Sequence, residues 1–250
     1  MEGRVALFVP CYVDQLYPQV ARATLELLER HGLTVDFPAK QTCCGQPMAN
    51  AGCERDALET ARGFVRVFAD FDYVVCPSGS CTHFVRHHYD VLEQTQAVHK
   101  VRANTYELCQ FLVEVLKIED PGVTFPHRVG VHLGCHAQRG LRLADSSEMR
   151  VQPAGVMRSL LERVDGIELI ELDRPDECCG FGGTFCVTEE AVSARMGLDR
   201  VRDHQRHDAE VITSGDMSCL MHLDGIIRRQ RLPIRVMHVA EILNGGGLIS

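Results

Sequence analysis

The sequence predicts an α/β fold built from two pseudo-repeated, Rossmann-like halves with parallel strands and with cysteines at the carboxyl ends of the strands. Two observations support this fold class. Short apolar runs alternate with amphipathic segments, and the cysteine pattern of the first half recurs in the second. Alternating strands and helices imply right-handed crossovers between parallel strands, and such sheets bind ligands beyond the strand carboxyl ends. We therefore expect halves of three or more strands at residues 1–122 and 123–250, related by a pseudo-two-fold axis.

The first half begins with a β-α-β pattern. The apolar run at residues 5–9 predicts a strand, and the following helix should begin at Pro18 and stop at Gly32, because these residue types are typical of helix ends. Residues 35–37 form the next short apolar stretch and predict the second strand.

The rest of the first half predicts two further helices around one strand. A helix is expected over residues 53–69 and a strand over Tyr73–Cys76, followed by a polar segment rich in histidine. Asn104, with Glu107 three residues later, resembles a capping box for a helix that ends before Pro121. The apolar face of that helix would carry Leu108, Leu112 and Leu116.

The second half repeats this order. Strands are expected at residues 129–133, 167–172 and Val211–Ser214, because each is a short apolar run. Helices are expected between them, over residues 153–164 and 189–204. The repetition of the order supports the division into halves.

Eight of the twelve cysteines form two copies of one pattern, in which a single cysteine precedes a Cys-Cys-Gly triplet and another single cysteine follows it. Between the first single cysteine and the triplet there are 31 residues in the first half and 42 in the second. Between the second cysteine of the triplet and the last single cysteine there are 36 and 39. Because each set follows three successive strands, four thiolates from three loops can converge on one site per half. The eight are Cys11, Cys43, Cys44, Cys81, Cys135, Cys178, Cys179 and Cys219.

Metal ligation explains these cysteines better than disulfides, because the apolar run at residues 5–9 is too short for a secretion signal and a chain of this length needs no disulfides to stabilise its core. Sets of four thiolates select zinc or iron–sulfur clusters. Structural zinc usually uses two short C-x₂₋₄-C knuckles, which neither half contains. Adjacent cysteines suit the larger cluster, and Gly45 and Gly180 would let backbone approach inorganic sulfide.

Composition excludes some classes of protein. The formal charge of −8 without a cluster of basic residues argues against a nucleic-acid partner. No apolar run approaches the roughly 20 residues that span a bilayer. We expect a cytoplasmic globular protein without direct membrane insertion.

The motifs resemble those of the cysteine-rich CCG-domain proteins, in particular the lactate utilization protein A group. The resemblance covers nearly the whole chain and rests on residues 41–47 (QTCCGQP), 77–81 (PSGSC), 178–185 (CCGFGGTF) and 219–222 (CLMH). It implies iron–sulfur binding and a role in oxidising L-lactate to pyruvate with companion proteins. Related domains occur in one of the subunits of heterodisulfide reductase and in iron–sulfur subunits of glycolate and glycerol-3-phosphate oxidation systems.

One departure from the family pattern concerns its final C-x-x-C, because the first of those two cysteines is replaced by Ser78 in one half and by Asp216 in the other. Four cysteines per half suffice for an ordinary 4Fe-4S cluster, with one or two clusters per chain. The departure puts in doubt the five-cysteine non-cubane cluster of the heterodisulfide reductase type. We expect Ser78 and Asp216 to be loop or capping residues rather than oxygen ligands.

Other cysteines and histidines near the motifs are weaker candidates. The cysteines outside the pattern are expected to pack as buried thiols, with Cys186 the best spare candidate for a ligand or reactive thiol. The histidines near the motifs are expected to be ordinary loop residues or donors of hydrogen bonds to cluster sulfur, which would tune its potential. These residues are Cys53, Cys76, Cys109 and Cys186, and His132, His136 and His222.

The sequence as a whole predicts an electron-transfer subunit of an L-lactate or related 2-hydroxy acid oxidation system. It contains no recognisable flavin, nicotinamide or Walker motif, so we expect no complete activity without companion iron–sulfur and dehydrogenase subunits. One alternative is a thiol/disulfide redox subunit similar to heterodisulfide reductase. The other is a zinc-stabilised interaction scaffold, and zinc can also replace iron in protein handled in air.

Overall fold

Two four-stranded sheets, both entirely parallel, form the centre of the molecule in the computed structural model, which describes residues 3–149 and 155–246. The strand orders are β2-β1-β3-β4 and β6-β5-β7-β8, so the two sheets have the same topology. This result confirms the predicted fold class. The strands are β1 Val5–Leu7, β2 Val35–Asp36, β3 Tyr73–Cys76, β4 Thr105–Glu107, β5 Arg128–Val131, β6 Glu168–Leu169, β7 Val211–Ser214 and β8 Arg235–His238.

Helices connect the strands, and none of those in the described ranges is long and apolar enough to cross a membrane. In the first half they are α1 Cys11–Leu16, α2 Pro18–Arg30, α3 Gln46–Asn50, α4 Glu54–Phe68, α5 Gly79–His88, α6 Gln96–Asn104 and α7 Leu108–Gln110. In the second half they are α8 Val156–Leu161, α9 Phe185–Thr188, α10 Glu190–Arg206, α11 Met217–Gln230 and α12 Val239–Leu243. Short 3₁₀ or π-helical turns cover Tyr89–Val91, Phe111–Val115, His136–Gly140 and Ser147–Met149.

The local sequence explains several of these elements as predicted. Helix α2 begins at Pro18, whose missing N–H costs nothing in the first turn, and the chain turns at Gly32 with φ +80°. Strands β3 and β7 have the predicted bounds. Residues on one face of α2 are buried as expected, namely Val20, Ala23, Leu27 and Leu28.

The predicted capping box at Asn104 is wrong. Asn104 ends helix α6, and the next three residues form strand β4, which pairs with β3. The N-cap of α7 is Glu107, whose Oε2 accepts a hydrogen bond from the backbone N of Gln110 at 3.0 Å. The capping residue therefore lies three positions later than predicted, because the sheet extends to a fourth strand.

Three other segments differ from the prediction. The polar, histidine-rich segment after β3, for which no secondary structure is predicted, is helix α5. Strand β6 covers only Glu168–Leu169 of the predicted 167–172. The helix predicted over residues 153–164 is observed over Val156–Leu161, while Pro153 lies outside the described residues.

The two sheets share a hydrophobic core, and a second cluster of buried side chains lies within the first half. Buried side chains of α2, α7 and β5 belong to the same cluster as those of α11 and α12. The last helix crosses back to the first half, where α12 packs against α2 and Arg30 Nη2 donates to the carbonyl oxygen of Leu243 at 2.6 Å. The division at residue 122 stays a prediction, since the halves are packed together through this core.

The halves also meet where α5 and α11 begin. Ser78 and Asp216, the equivalent residues of the two halves, form an antiparallel bridge, which is the relation that a local two-fold axis produces. The backbone N of Ser80 donates to Asp216 Oδ2 at 2.8 Å, and the backbone N of Gly79 donates to the carbonyl oxygen of Gly215 at 3.3 Å. These bonds fix the third loop of one half against that of the other.

This junction leaves no room for a side chain at Gly79. A Cβ there would lie 2.8 Å from Ala137 Cβ and 3.3 Å from the backbone N of Ala137. We predict that Gly79→Ala lowers the free energy of unfolding by about 1–3 kcal/mol, because the halves must move apart to accommodate it. Urea denaturation followed by circular dichroism measures this change.

A matched control is available in helix α11. Gly225 has open space around the position of a Cβ, so Gly225→Ala should stabilise the protein by about 0.5–1 kcal/mol through helix propensity. Equal effects of the two substitutions would contradict the close contact at Gly79.

Candidate metal centre

The eight cysteines of the repeat lie at the carboxyl ends of the strands, as predicted. In the first half Cys11 begins α1 after β1, and Cys43 and Cys44 lie in the loop after β2. Cys81 lies in the first turn of α5, after β3. The second set occupies the corresponding places, with Cys135 after β5, Cys178 and Cys179 after β6, and Cys219 in α11 after β7.

Both sets face one cleft between the halves. The cleft encloses about 390 Å³ and also contains Tyr12, His136 and Phe181. Cys43 is the one member of the pattern that is not among the residues lining it. The sequence predicted one site per half but not that the two sites would open onto the same cleft. The cysteines lining it are Cys11, Cys44, Cys81, Cys135, Cys178, Cys179 and Cys219.

The thiols of each set contact one another in chain order. The Sγ atoms of Cys11 and Cys43 lie 3.8 Å apart, and Cys44 lies between Cys43 and Cys81 in hydrogen-bonding contact with both. The second set has the same arrangement, from Cys135 through Cys178 and Cys179 to Cys219. Four thiols therefore converge in each half.

Hydrogen bonding between thiols gives Cys43 and Cys81 of the first set, and Cys178 of the second set, the character of a thiolate. Hydrogen bonds from Cys11 and Cys44 lower the pKa of the Cys43 thiol to about 3. Those from Cys135 and Cys179 lower the pKa of the Cys178 thiol to about 2. The same contact raises the pKa of Cys11. Thiolates are the form in which cysteine binds soft metals, so each set is suited to a cation.

Backbone N–H groups also point at the sulfur atoms. The backbone N of Gly45 donates to Cys43 Sγ at 3.4 Å, and that of Gly180 donates to Cys178 Sγ at the same distance. The backbone N of Phe181 donates to Cys179 Sγ at 3.5 Å. Such donors stabilise negative charge on sulfur.

The glycine of each Cys-Cys-Gly triplet is required by backbone conformation and by close packing. Gly45 has φ +99° and Gly180 has φ +88°, values that other residues rarely adopt. A Cβ on Gly180 would lie 2.7 Å from the carbonyl oxygen of Ser193 in α10. The structure thus shows a close approach to the following helix, while the approach to sulfide stays a prediction.

Ser78 and Asp216 are helix caps, as predicted. Ser78 Oγ accepts a hydrogen bond from the backbone N of Cys81 at 3.2 Å, at the start of α5. Asp216 Oδ1 accepts from the backbone N of Ser218 at 3.4 Å, at the start of α11. Their side chains thus hold the turns that carry Cys81 and Cys219.

The cysteines outside the pattern occupy three kinds of environment. Cys76 and Cys109 are fully buried, which confirms that they are core residues. The expectation of a buried thiol is wrong for Cys53, because this residue is the exposed N-cap of α4. Cys186 is half-buried, and its Sγ lies 3.0 Å from the carbonyl oxygen of Gly183.

The three histidines near the motifs differ in their contacts. His136 lines the cleft and its ring lies 5.0 Å from that of His83. His222 Nε2 lies 3.3 Å from the carbonyl oxygen of Ser193. His132 is fully buried, and one of its ring nitrogens lies within 4.8 Å of the Sγ atoms of Cys179 and Cys219. His132 is therefore the one of these three histidines that forms a potential metal-binding group with cysteines of the repeat.

Arg200 is a residue of the site that the sequence analysis missed. It is fully buried in α10, where its Nε donates to His132 Nδ1 at 3.2 Å and its Nη1 pairs with Asp203 at 3.3 Å. Its Nη2 also donates to the carbonyl oxygen of Pro175, in the loop that leads to Cys178. The sequence contains one signal that could have revealed it, since Arg200 is a charged residue on the buried face of an amphipathic helix.

Comparison with known proteins agrees with this geometry. Residues 5–86 and 129–224 match the cysteine-rich CCG domain, and these segments contain all eight cysteines of the repeat. The chain is also 42% identical over 245 residues to lactate utilization protein A of Geobacillus thermodenitrificans strain NG80-2, covering 96% of this chain and 98% of that protein. The chain belongs to the CCG cysteine-rich family, in its lactate utilization protein A group.

Other comparisons are consistent with membership of the CCG family. Lactate utilization protein A of Halalkalibacterium halodurans is 42% identical over 246 residues, which is 96% of each chain. Among solved structures, glutamate racemase of Francisella tularensis has a TM-score of 0.35 and 9% identity, covering 96% of this chain and 78% of that one. A likeness of that size carries no functional argument.

The capping role of Ser78 leads to a prediction. Ser78→Ala should lower the free energy of unfolding by about 1 kcal/mol, because the backbone N of Cys81 loses its side-chain acceptor, and should leave bound metal per chain unchanged. Urea denaturation and elemental analysis measure the two quantities. Cys81→Ser, three residues later, is the contrasting variant that should lose metal. Loss of metal from Ser78→Ala would show that Ser78 is a ligand.

Proposed function

We propose that this chain is an iron–sulfur electron-transfer subunit of a system that oxidises L-lactate or a related 2-hydroxy acid. The observation that carries the proposal is the contact among four thiols in each half, with seven of these eight cysteines lining one cleft. The kinship with proteins named for lactate utilization supplies the substrate class. The proposal places the chain in the cytoplasm, where thiols stay reduced.

The donor set fits a 4Fe-4S cluster in each half. Four thiolates are the usual ligands of such a cluster, and all twelve cysteines are free thiols. A cleft of about 390 Å³ is far larger than the roughly 30 Å³ share of one water molecule, so it has room for groups larger than single ions. The ligands would be Cys11, Cys43, Cys44 and Cys81 in one half, and Cys135, Cys178, Cys179 and Cys219 in the other.

The arrangement favours electron transfer over catalysis. A bound iron–sulfur cluster supplies one-electron redox chemistry. The chain holds the two cysteine sets against a shared cleft, which favours exchange of an electron between them. We therefore assign the oxidation of the organic acid to companion iron–sulfur and dehydrogenase subunits, with this chain accepting and releasing electrons one at a time.

A zinc-stabilised scaffold is the second candidate, and one distance favours it. Four sulfur atoms at about 2.3 Å from a tetrahedral zinc ion lie roughly 3.8 Å apart. The Sγ atoms of Cys11 and Cys43 are separated by that distance. The choice between zinc and iron therefore requires chemical analysis of the bound metal.

The test begins with protein purified without oxygen. We predict about four iron and four acid-labile sulfide per occupied half, and an electron paramagnetic resonance signal that changes on reduction with dithionite. Paired substitution of Cys43 and Cys44 by serine should remove the metal of the first half alone. The same change at Cys178 and Cys179 should remove that of the second half. Cys53→Ser, which alters an exposed cysteine outside the cleft, is the matched control and should retain all metal.

Zinc at one or two per chain, without sulfide, would refute the electron-transfer proposal and favour the scaffold. A second experiment addresses the substrate class. A strain lacking this gene should fail to grow on L-lactate but grow on glucose, and the wild-type gene should restore growth while the Cys178 and Cys179 variant should not. Growth of the deletion strain on L-lactate at the normal rate would contradict the assigned substrate class.

A further inference from the structure

The two halves differ in the buried residue that precedes their first cysteine. Phe8 lies three residues before Cys11, and His132 lies three residues before Cys135. Both side chains are fully buried at the carboxyl ends of equivalent strands. The first half therefore has an aromatic ring behind its cysteine set, whereas the second half has an imidazole.

The partners of these two residues differ in the same way. In each half, the carbonyl oxygen of one helix residue faces the glycine of the Cys-Cys-Gly triplet. Phe64 in α4 and Arg200 in α10 each lie seven residues after that residue, so they occupy equivalent positions. The Phe8 and Phe64 rings pack edge to face with centroids 4.8 Å apart. In the second half Arg200 Nε donates to His132 Nδ1 at 3.2 Å. An apolar pair in one half is thus replaced by a polar pair in the other.

Arg200 fixes the tautomer of His132. A guanidinium group has only donors, so the Nδ1 that receives its hydrogen bond carries no proton, and the ring proton must lie on Nε2. Nε2 is buried and has no hydrogen-bond partner among the described residues. One of the two ring nitrogens lies within 4.8 Å of the sulfur atoms of Cys179 and Cys219, and Nε2 is the one that remains free to donate to them, because Nδ1 is occupied by Arg200.

We propose that His132 is a positioning residue that donates a hydrogen bond from Nε2–H to sulfur at the second cysteine set, and that Arg200 holds it in this tautomer. The inference rests on the proposed function, since it concerns a cluster held by these cysteines. A donor stabilises the more negative, reduced state, and the first set has only the phenyl ring of Phe8 at the equivalent position. This hydrogen bond therefore raises the potential at which the second site is reduced.

Direct ligation by His132 is a different outcome that the contacts disfavour. A nitrogen that binds a metal carries no proton, so ligation through Nε2 would leave the ring without any proton while Arg200 donates to Nδ1. The described contacts therefore support a donor at this position rather than a fifth ligand.

The experiment is a redox titration of the oxygen-free protein, monitored by electron paramagnetic resonance, for the wild type and for variants at His132 and Phe8. His132→Phe introduces the residue type that the first half uses and removes the donor. We expect the reduction equilibrium of the second site alone to fall by about tenfold, which is 59 mV for a one-electron couple. The paired serine variants of each half identify which signal belongs to which site.

His132→Gln supplies a matched control, because its amide can accept from Arg200 and still donate to sulfur. In this variant the potential of the second site should change by only a small fraction of the shift seen for His132→Phe. Phe8→Leu should leave the potential of the second site unchanged. Iron and sulfide per chain are measured for every variant, so that a change of potential is separated from loss of a cluster.

Two results would overturn the inference while leaving the proposed function intact. One is a full complement of iron and sulfide with no change of potential in His132→Phe. The other uses wild-type protein labelled with ¹⁵N-histidine, in which the strong nitrogen coupling of a directly bound imidazole would show ligation instead of donation. If the wild type binds neither iron nor sulfide, the proposed function fails and this inference fails with it.

Discussion

The parallel pairing of β1 with β3, and of β5 with β7, is the constraint on which the site depends. Parallel strands bring their carboxyl ends to the same edge of a sheet, so the strand pairing alone brings together residues that are far apart in sequence. Two such sheets, joined where Ser78 bridges Asp216, turn these edges toward each other. The cleft and its thiols follow from that arrangement.

Much of the fold could be predicted from local sequence, because helix ends and buried strands leave local signals. Pro18 marks the start of α2, and the apolar run Tyr73–Cys76 is a strand with the predicted bounds. Strand β4 was missed because Thr105–Glu107 is short and follows directly after a helix. The shared core was also missed, since contacts between α2 and α12 have no local periodicity that would reveal them.

The candidate site was partly predictable for a similar reason. Its cysteines repeat one residue type at similar spacings, and the roles of Ser78 and Asp216 follow from ordinary helix capping. The contact between His132 and Arg200 joins residues 68 positions apart, and neither residue belongs to a motif. A duplicated pattern therefore reveals what the halves share, whereas their differences depend on tertiary packing.

The contact between Arg30 and Leu243 has a consequence for the order of folding. It joins residues 213 positions apart, so the packing of α2 is completed only by α12, a helix that is synthesised much later. Contacts of such high sequence separation slow folding and leave apolar surface exposed until they form. On the ribosome, the face of α2 that packs against α12 would therefore stay uncovered until translation has passed α12.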